Sequence, residues 1–124
     1  MAALLFPPHR FAAVEADVYR GGYPTQRNFR FLRRLRLRSM VNLSAVKETD
    51  DLHDWCEHEE VEYVHYPAQK SKGDKGEPAV SLSTTTVALV LNRLINPQNL
   101  PAYVFCLDGV EATGIVMMCL RKVK

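Results

Sequence analysis

A cysteine followed by a short loop with a glycine and a Thr-Gly pair carries the clearest chemistry in this sequence. Cys106 ends an apolar run, Gly109 lies in the loop, and Thr113 and Gly114 open a second apolar stretch. Backbone N–H groups in such a loop converge on an anion, and the dipole of the following helix adds positive potential. These surroundings lower the pKa of a cysteine and activate its thiolate. The sequence therefore predicts a phosphate-binding loop with Cys106 as nucleophile.

Alternating strands and helices are predicted to position this loop. Two short extended pieces, closed by Gly21 and Gly22, come first. They are followed by helix 26–36, strand 37–43, a helix capped by Thr49 and strand 61–66. A long apolar helix through residue 95, which Ser81 or Ser83 can cap, then leads to strand 101–106 and helix 114–122. This order predicts an α/β sandwich with a mostly parallel central sheet, and such folds place ligands at the carboxyl ends of strands.

The loop resembles the signature of cysteine-dependent phosphatases, which is cysteine, five residues, arginine, then Ser or Thr and Gly. It is most similar to the atypical dual-specificity phosphatases of plants and fungi, including the yeast oxidant-induced cell-cycle-arrest proteins. The likeness runs over residues 11–121, with motifs at residues 17–24, 28–39, 72–78 and 119–122. The resemblance implies a cysteine-phosphatase-like sandwich in which Thr113, Gly114 and the loop around Gly109 would bind phosphate.

The loop departs from the family pattern where the family binds phosphate. Ala112 stands six positions after Cys106, where the family's arginine would hold two phosphate oxygens. Active relatives carry basic residues around the cysteine, and this chain instead has Phe105, Leu107, Asp108, Val110 and Glu111. The loop has therefore lost positive charge and gained two negative charges.

A rough magnitude shows what these changes mean. One carboxylate about 6 Å from a bound anion costs roughly 3 kcal/mol at an effective dielectric of about 20. The missing arginine also removes charge-assisted hydrogen bonds and the main stabiliser of a transferring phosphoryl group. The sequence thus predicts that Cys106 is a vestigial nucleophile and that turnover is lost or very weak.

A polar connection at residues 67–78 supplies further candidates. Its segment 72–78 resembles the family's substrate-facing loop, with one residue added. The resemblance implies that Lys72 and Lys75 could meet an anion and that Asp74 could act as a general acid. A flexible surface loop explains the same glycines and lysines.

Composition indicates one small globular domain. The chain has 124 residues, of which 47% are hydrophobic, and a formal net charge of +2. Three cysteines, Cys56, Cys106 and Cys119, form neither an even disulfide set nor a close metal-ligand spacing. Pro7 and Pro8 cut the apolar start short of a signal peptide or membrane span. We expect a cytosolic or nuclear protein with no cofactor, metal ion or membrane partner.

A basic helix invites a second interpretation. Arg30, Arg33 and Arg34 are predicted to occupy one face of helix 26–36, opposite its apolar face. They could bind polyanions, but no aromatic residues alternate with them to stack on bases. We expect a solvated amphipathic helix and no nucleic-acid partner.

Three other features complete the expectations. His53 and His58 lie five residues apart in one helix, which disfavours a two-histidine metal site, and His65 is expected to be a hydrogen-bonded edge residue. The near-continuous apolar residues of helix 83–95 predict burial around much of its circumference. Residues 1–10 are predicted to be a disordered lead-in, and residues 11–124 a phosphatase-like domain.

The resemblance also implies that about two further C-terminal helices are missing, so that the domain is truncated or a partner supplies the missing layer. Three functional classes remain open. The first is a pseudophosphatase that binds a phosphorylated ligand or sibling phosphatase-like proteins. The second is an active hydrolase of phosphoprotein or inositol pyrophosphate that uses Cys106. The third is a structural or nucleic-acid-associated module that uses the basic helix.

Overall fold

Short apolar runs form the strands, and polar turns separate them. The computed structural model describes residues 5–67, 69–72, 78–81, 83–107 and 111–123, with side chains for 5–67, 83–107 and 113–122. The strands are β1 (Ala12–Glu15), β2 (Val18–Gly22), β3 (Ser39–Asn42), β4 (Glu62–His65), β5 (Gln69–Lys72), β6 (Pro78–Ser81) and β7 (Ala102–Cys106). The helices are α1 (Phe29–Arg34), α2 (Asp50–His58), α3 (Thr84–Ile95) and α4 (Glu111–Val123).

The main sheet has five strands in the order β1-β2-β7-β3-β4. β1 runs antiparallel to β2, and the other neighbours are parallel. One face packs against α3 and α4 through residues that include Val90 and Leu120, and the other against α1 and α2 through residues that include Leu32 and Leu52. The predicted α/β sandwich with a mostly parallel sheet, and the central position of the strand that ends at Cys106, are confirmed.

Helix boundaries follow local signals. The Thr49 hydroxyl accepts the N–H of Leu52, and the Ser83 hydroxyl accepts the N–H of Thr86. Thr49 therefore caps α2 as predicted, and Ser83, one of the two candidate caps, caps α3. The predicted helix 26–36 is shorter than expected, because a 3₁₀ turn at Gln26–Asn28 precedes α1 and Arg36 adopts a left-handed φ of 55° beyond its end. Arg30, Arg33 and Arg34 are exposed, as the amphipathic pattern predicts.

Three sequence-based expectations were wrong. Gly21 and Gly22 belong to strand β2 rather than to a turn that closes it. The connection at residues 67–78 contains β5 and leads into β6, and the two strands pair antiparallel. This pairing satisfies their backbone groups although the polar residues of β5 are poor strand formers. In α3, Leu89 is 48% exposed and Ile95 44% exposed, because one side alone meets the sheet and α4.

The lead-in that the sequence predicts as disordered makes specific contacts from Phe6 on. The carbonyl of Phe6 accepts a hydrogen bond from the Asn28 amide over 3.0 Å, and the guanidinium of Arg27 lies 4.1 Å from the centre of the Phe6 ring. The carbonyl of His9 accepts the N–H of Gly22 over 2.7 Å. None of the described helices is long and apolar enough to span a membrane.

Candidate active site

Cys106 lies at the carboxyl end of the central strand. All five residues of β7 are buried, and Cys106 is 4% exposed, whereas the next residue, Leu107, is 61% exposed. Cys106 pairs in register with Gly22 of β2, and the carbonyl of Phe105 accepts the N–H of Leu43 over 2.8 Å. The thiol is therefore held where the sheet ends and the connection to α4 starts, the usual position of a ligand site in a parallel sheet.

Thr113 brings the first turn of α4 to the cysteine. Its side chain is fully buried, and its Oγ1 lies 3.9 Å from the Sγ of Cys106, within reach of a weak hydrogen bond to sulfur. Helix α4 starts at Glu111, so its positive dipole end lies at the same edge of the sheet. The structure thus brings two predicted site residues together at a helix N-terminus, an arrangement that favours a bound anion.

The remaining predicted site residues are described in part or not at all. Ala112 and Gly114 belong to α4, and Lys72 ends β5. Gly109, Asp74 and Lys75 lie outside the described residues, as do Asp108 and Val110. The two-stranded sheet of β5 and β6 lies next to α4, since Cα atoms of β6 come within 8 Å of Cα atoms of α4.

Glycines shape the wall of the site on the β2 side. A Cβ on Gly21 would collide with the hydroxyl of Tyr103, and a Cβ on Gly22 would lie 3.2 Å from the carbonyl oxygen of His9 and 3.6 Å from that of Leu107. Tyr103 also donates a hydrogen bond to the carbonyl of Gly22 over 2.8 Å. The missing side chains therefore let the lead-in and the start of the loop approach β2 closely.

A hydrogen-bond network orders the neighbouring loop after β3. The amide of Asn42 donates to the Val46 carbonyl and to the Tyr63 hydroxyl, both over 2.8 Å. Its oxygen accepts the N–H and the hydroxyl of Ser44 over 2.8 and 2.7 Å. All four hydrogen-bonding positions of this amide are used, which fixes its orientation. The loop beside Cys106 is therefore held rigidly.

Other titratable groups near the sheet are structural. His65 on the edge strand β4 lies 2.7 Å from the Ser44 carbonyl through its Nε2, as expected of a hydrogen-bonded edge residue. Burial raises the pKa of Tyr63 to about 12, and the Asn42 hydrogen bond opposes that shift. Burial likewise raises the pKa of the Cys56 thiol to about 12, which makes it an inert core thiol.

The described part of the chain holds one exposed cluster with metal-ligating atoms, His53, Asp54 and Glu57. The two ring nitrogens of His53 lie 3.3 Å from Glu48 and 3.5 Å from Glu57. His58, the other histidine of this helix, is not part of the cluster. All three residues of the cluster belong to α2.

Three residues that contribute to the site were missed in the sequence. Asn42 and Ser44 follow a buried strand, and polar residues directly after such a strand are a signal that could have found them. His9 lay in a segment predicted to be disordered, and its role depends on a backbone carbonyl, which no side-chain pattern reveals.

The family model and the individual relatives that match this chain are all described as phosphatases. A model of the tyrosine phosphatase family matches residues 5–124. A Dictyostelium discoideum protein described as a probable tyrosine-protein phosphatase is 30% identical over 118 residues, which cover 95% of this chain and 69% of the relative. An inositol diphosphatase of Arabidopsis thaliana is 31% identical over 121 residues, which cover 98% of this chain and 58% of the relative.

A solved structure matches as well. The core catalytic domain of the PP-IP phosphatase Siw14 from Saccharomyces cerevisiae, in complex with citrate, has a TM-score of 0.85 and 26% sequence identity. The match covers 97% of this chain and 70% of the Siw14 chain.

Proposed function

Because the chain belongs to the tyrosine phosphatase family, we propose that it is a catalytically impaired member that acts by binding. What it binds is either a phosphorylated ligand or another phosphatase-like protein. The phosphorylated ligand would lie in the loop that follows Cys106, which is called the cradle below. The observation that carries the proposal is Ala112, six positions after Cys106. A methyl group cannot hold two phosphate oxygens or stabilise the charge of a transferring phosphoryl group.

The charges of the loop point the same way. Asp108 and Glu111 are negative, and no Lys or Arg occurs from Cys106 to Gly114. A phosphate dianion would approach two carboxylates without a compensating cation from the loop itself. This weakens both the thiolate nucleophile and the transition state, since each needs nearby positive charge.

The binding part of the proposal is supported by the backbone frame. A buried strand delivers Cys106 to the N-terminus of α4, and Thr113 lies beside it. Siw14, which shares this fold with a TM-score of 0.85, was solved with citrate, an anion. Backbone N–H groups and the helix dipole attract anions without any side-chain cation.

An active phosphatase is the second candidate, favoured by the 3.9 Å approach of Thr113 to the Cys106 thiol and by relatives described as inositol diphosphatases. In this alternative, the Cys106 thiolate attacks phosphorus, the leaving oxygen takes a proton from Asp74, and water then hydrolyses the cysteinyl phosphate. Lys72, Lys75 or an arginine outside the loop would replace the missing arginine as the anion clamp.

Turnover measurements separate the two candidates. Purified protein and its Cys106→Ser variant are compared with an aryl phosphate and with an inositol pyrophosphate. We expect equal rates, because the wild-type thiol lacks its cation. If the wild-type protein alone hydrolyses either substrate, the proposal that the enzyme is catalytically impaired is wrong. Alanine substitutions at Lys72 and Lys75 then test whether these lysines hold the phosphate.

Restoring the lost charges tests the cradle itself. We expect Ala112→Arg combined with Asp108→Lys and Glu111→His to tighten vanadate binding at least about tenfold, the effect of one charge-assisted hydrogen-bond pair. Ala88→Arg, at an exposed position of α3, is the matched control that adds an arginine elsewhere. Equal weak binding by both variants would show that the backbone does not form the cradle.

A further inference from the structure

Helices α1 and α2 carry charges of opposite sign. α1 contains Arg30, Arg33 and Arg34 and no acidic residue. α2 contains four acidic residues and no Lys or Arg. Both helices pack on the same face of the sheet through buried residues such as Leu32 and Leu52. Positive and negative charges are therefore separated onto two helices of one surface.

Side-chain contacts show how the two helices lie relative to each other. The ring of Phe29 stacks on the ring of Trp55, with 5.3 Å between the ring centres. Four residues later in each segment, Arg33 forms an ion pair with Glu59 over 3.4 Å. The helices therefore lie side by side and run in the same direction. The line along which they meet is called the seam below.

The outward face of each helix carries a single sign of charge. On α1, Arg30 and Arg34 lie opposite the buried Leu32 and are exposed; they are called the arginine stripe below. The exposed residues opposite the buried side of α2 form the acidic stripe, which consists of Asp50, Asp54 and Glu57. Arg30, Arg34, Asp50 and Asp54 form no ion pair with any residue that the structure describes.

From this pattern we infer that the surface of α1 and α2 binds a second copy of this chain. A two-fold axis parallel to the helices and along the seam places the arginine stripe of each copy over the acidic stripe of the other. Because Phe29 lies level with Trp55, Arg30 lies level with residues 54–57 of the facing helix. A two-fold axis across the helices would instead set arginine against arginine, and like charges in an interface are unfavourable.

The seam supplies an apolar centre for this interface. A groove of about 170 Å³ lies there, and its lining residues are Leu32, Arg33, Arg36, Leu37, Trp55, Glu59 and Val61. Trp55 is half-buried, so part of its side chain is open to solvent in the single copy. Tryptophans that become buried at the centre of an interface are among the residues that contribute most to binding. Association along the seam covers Trp55 in both copies.

A second copy fits this surface better than a nucleic acid or an anionic membrane. A polyanion that neutralises the arginine stripe also runs beside the acidic stripe, which repels it. A second copy instead offers each stripe its opposite. Exposed ion pairs contribute little individually, so the dimer is weak and sensitive to salt. The surface contains no residue of the cradle, and self-association is therefore independent of the function proposed for Cys106.

Sedimentation velocity at increasing protein concentration tests the inference. We expect the sedimentation coefficient of the wild-type protein to rise with concentration at low salt. It should return to the monomer value in about 1 M salt, where the Debye length is about 3 Å. The fluorescence of Trp55, the single tryptophan of the chain, should change over the same concentration range.

A charge swap makes the test specific. Arg30→Glu combined with Arg34→Glu should weaken self-association at least about tenfold, and so should Asp54→Lys combined with Glu57→Lys, because both contacts of the dimer then join like charges. An equimolar mixture of these two variants should pair again, since each contact of the mixed dimer joins opposite charges. Melting curves of both variants should match the wild-type curve, because all four side chains are exposed.

Arg121→Glu combined with Lys122→Glu is the matched control. It changes the net charge as much as the arginine-stripe variant does, but on exposed positions of α4, which packs on the opposite face of the sheet. This control should self-associate like the wild-type protein. It should not pair with the Asp54→Lys, Glu57→Lys variant, which would exclude attraction by net charge alone.

Three results would overturn the inference: a wild-type protein that stays monomeric at every concentration, a swapped variant that dimerises like the wild-type protein, or a mixture of the swapped variants that stays monomeric. A monomeric wild-type protein that binds a poly-glutamate peptide through Arg30 and Arg34 would assign the surface to a different protein, and it would overturn the inference as well.

Discussion

The hydroxyl of Tyr103 donates a hydrogen bond to the carbonyl oxygen of Gly22 over 2.8 Å. The bond reaches from the central strand β7 to the end of β2, and it runs past the bare Cα of Gly21. The N–H of Gly22 binds the carbonyl of His9 on its other side. One aromatic side chain thus requires glycine on a neighbouring strand and fixes the place where the lead-in docks.

Two single glycine substitutions, compared with each other, test whether this position of β2 requires glycine. Gly21→Ala should destabilise the protein by roughly 1 to 3 kcal/mol, because the new methyl group collides with Tyr103. Gly114→Ala, in α4 and with open space around it, should instead stabilise by up to about 1 kcal/mol through helix propensity. Urea unfolding of both variants checks the prediction, and equal effects would contradict it.

The hydrogen-bonded amide of Asn42 should contribute far more to the free energy of unfolding than the amide of an exposed asparagine. Asn42→Leu removes four hydrogen bonds and leaves Ser44 and Tyr63 without their partner, so we expect a loss of roughly 3 kcal/mol in the free energy of unfolding. Asn92→Leu, on an exposed position of α3, is the matched control and should change stability by less than about 0.5 kcal/mol. Similar losses of unfolding free energy in the two variants would show that water replaces the hydrogen bonds of Asn42 in solution.

The two faces of α1 should differ sharply. Replacing Arg30, Arg33 and Arg34 with glutamine should cost less than about 1 kcal/mol in the free energy of unfolding. Among the described residues they form one ion pair, Arg33 to Glu59 at 3.4 Å, and it lies at the surface. Leu32→Ala on the opposite, fully buried face should cost roughly 2 to 5 kcal/mol. Thermal unfolding compares the two variants. A cooperative loss of folding in the triple variant would show that these arginines are buried partners of α2.

Alkaline pH should weaken the fold through Cys56. Burial raises the pKa of this thiol from 9.0 to about 12, so the folded protein keeps its proton when the unfolded chain has lost it. The stabilisation is therefore complete below pH 9.0 and is lost as the pH rises towards 12, with a slope of at most about 1.4 kcal/mol per pH unit. Tyr63, with a pKa of about 12, adds to the decline above its ordinary value of 10.0.

Urea unfolding across that pH window checks the slope. The Cys56→Ala variant should have a lower free energy of unfolding at neutral pH. That free energy should fall less steeply than in the wild-type protein between pH 9.0 and the pH at which Tyr63 starts to contribute. An unchanged slope would assign the alkaline loss to other groups.

Local patterns in the chain were sufficient for the fold class and for the strand-to-helix setting of Cys106. Buried strands are continuous apolar runs, caps are single polar residues, and amphipathic helices repeat every three to four residues, so each can be read within a short window. Thr49, Ser83 and the exposed arginines of α1 all followed from such patterns. The presence of Ala112 and of the two acidic residues in the loop is also known from the sequence without any structure.

Tertiary structure decided the features that depend on distant partners. Gly21 and Gly22 read locally as a turn, but Tyr103, 81 residues beyond Gly22, draws them into a strand. The polar strand β5 forms because its backbone groups pair with those of β6. Helix α3 leaves Leu89 exposed because the sheet covers only one side of the helix. Arg20 of β2 lines the same groove as Met117 of α4, although nearly a hundred residues separate the two. Contacts of this kind arise from packing between elements, and a local pattern of residues carries no record of which element will lie across from it.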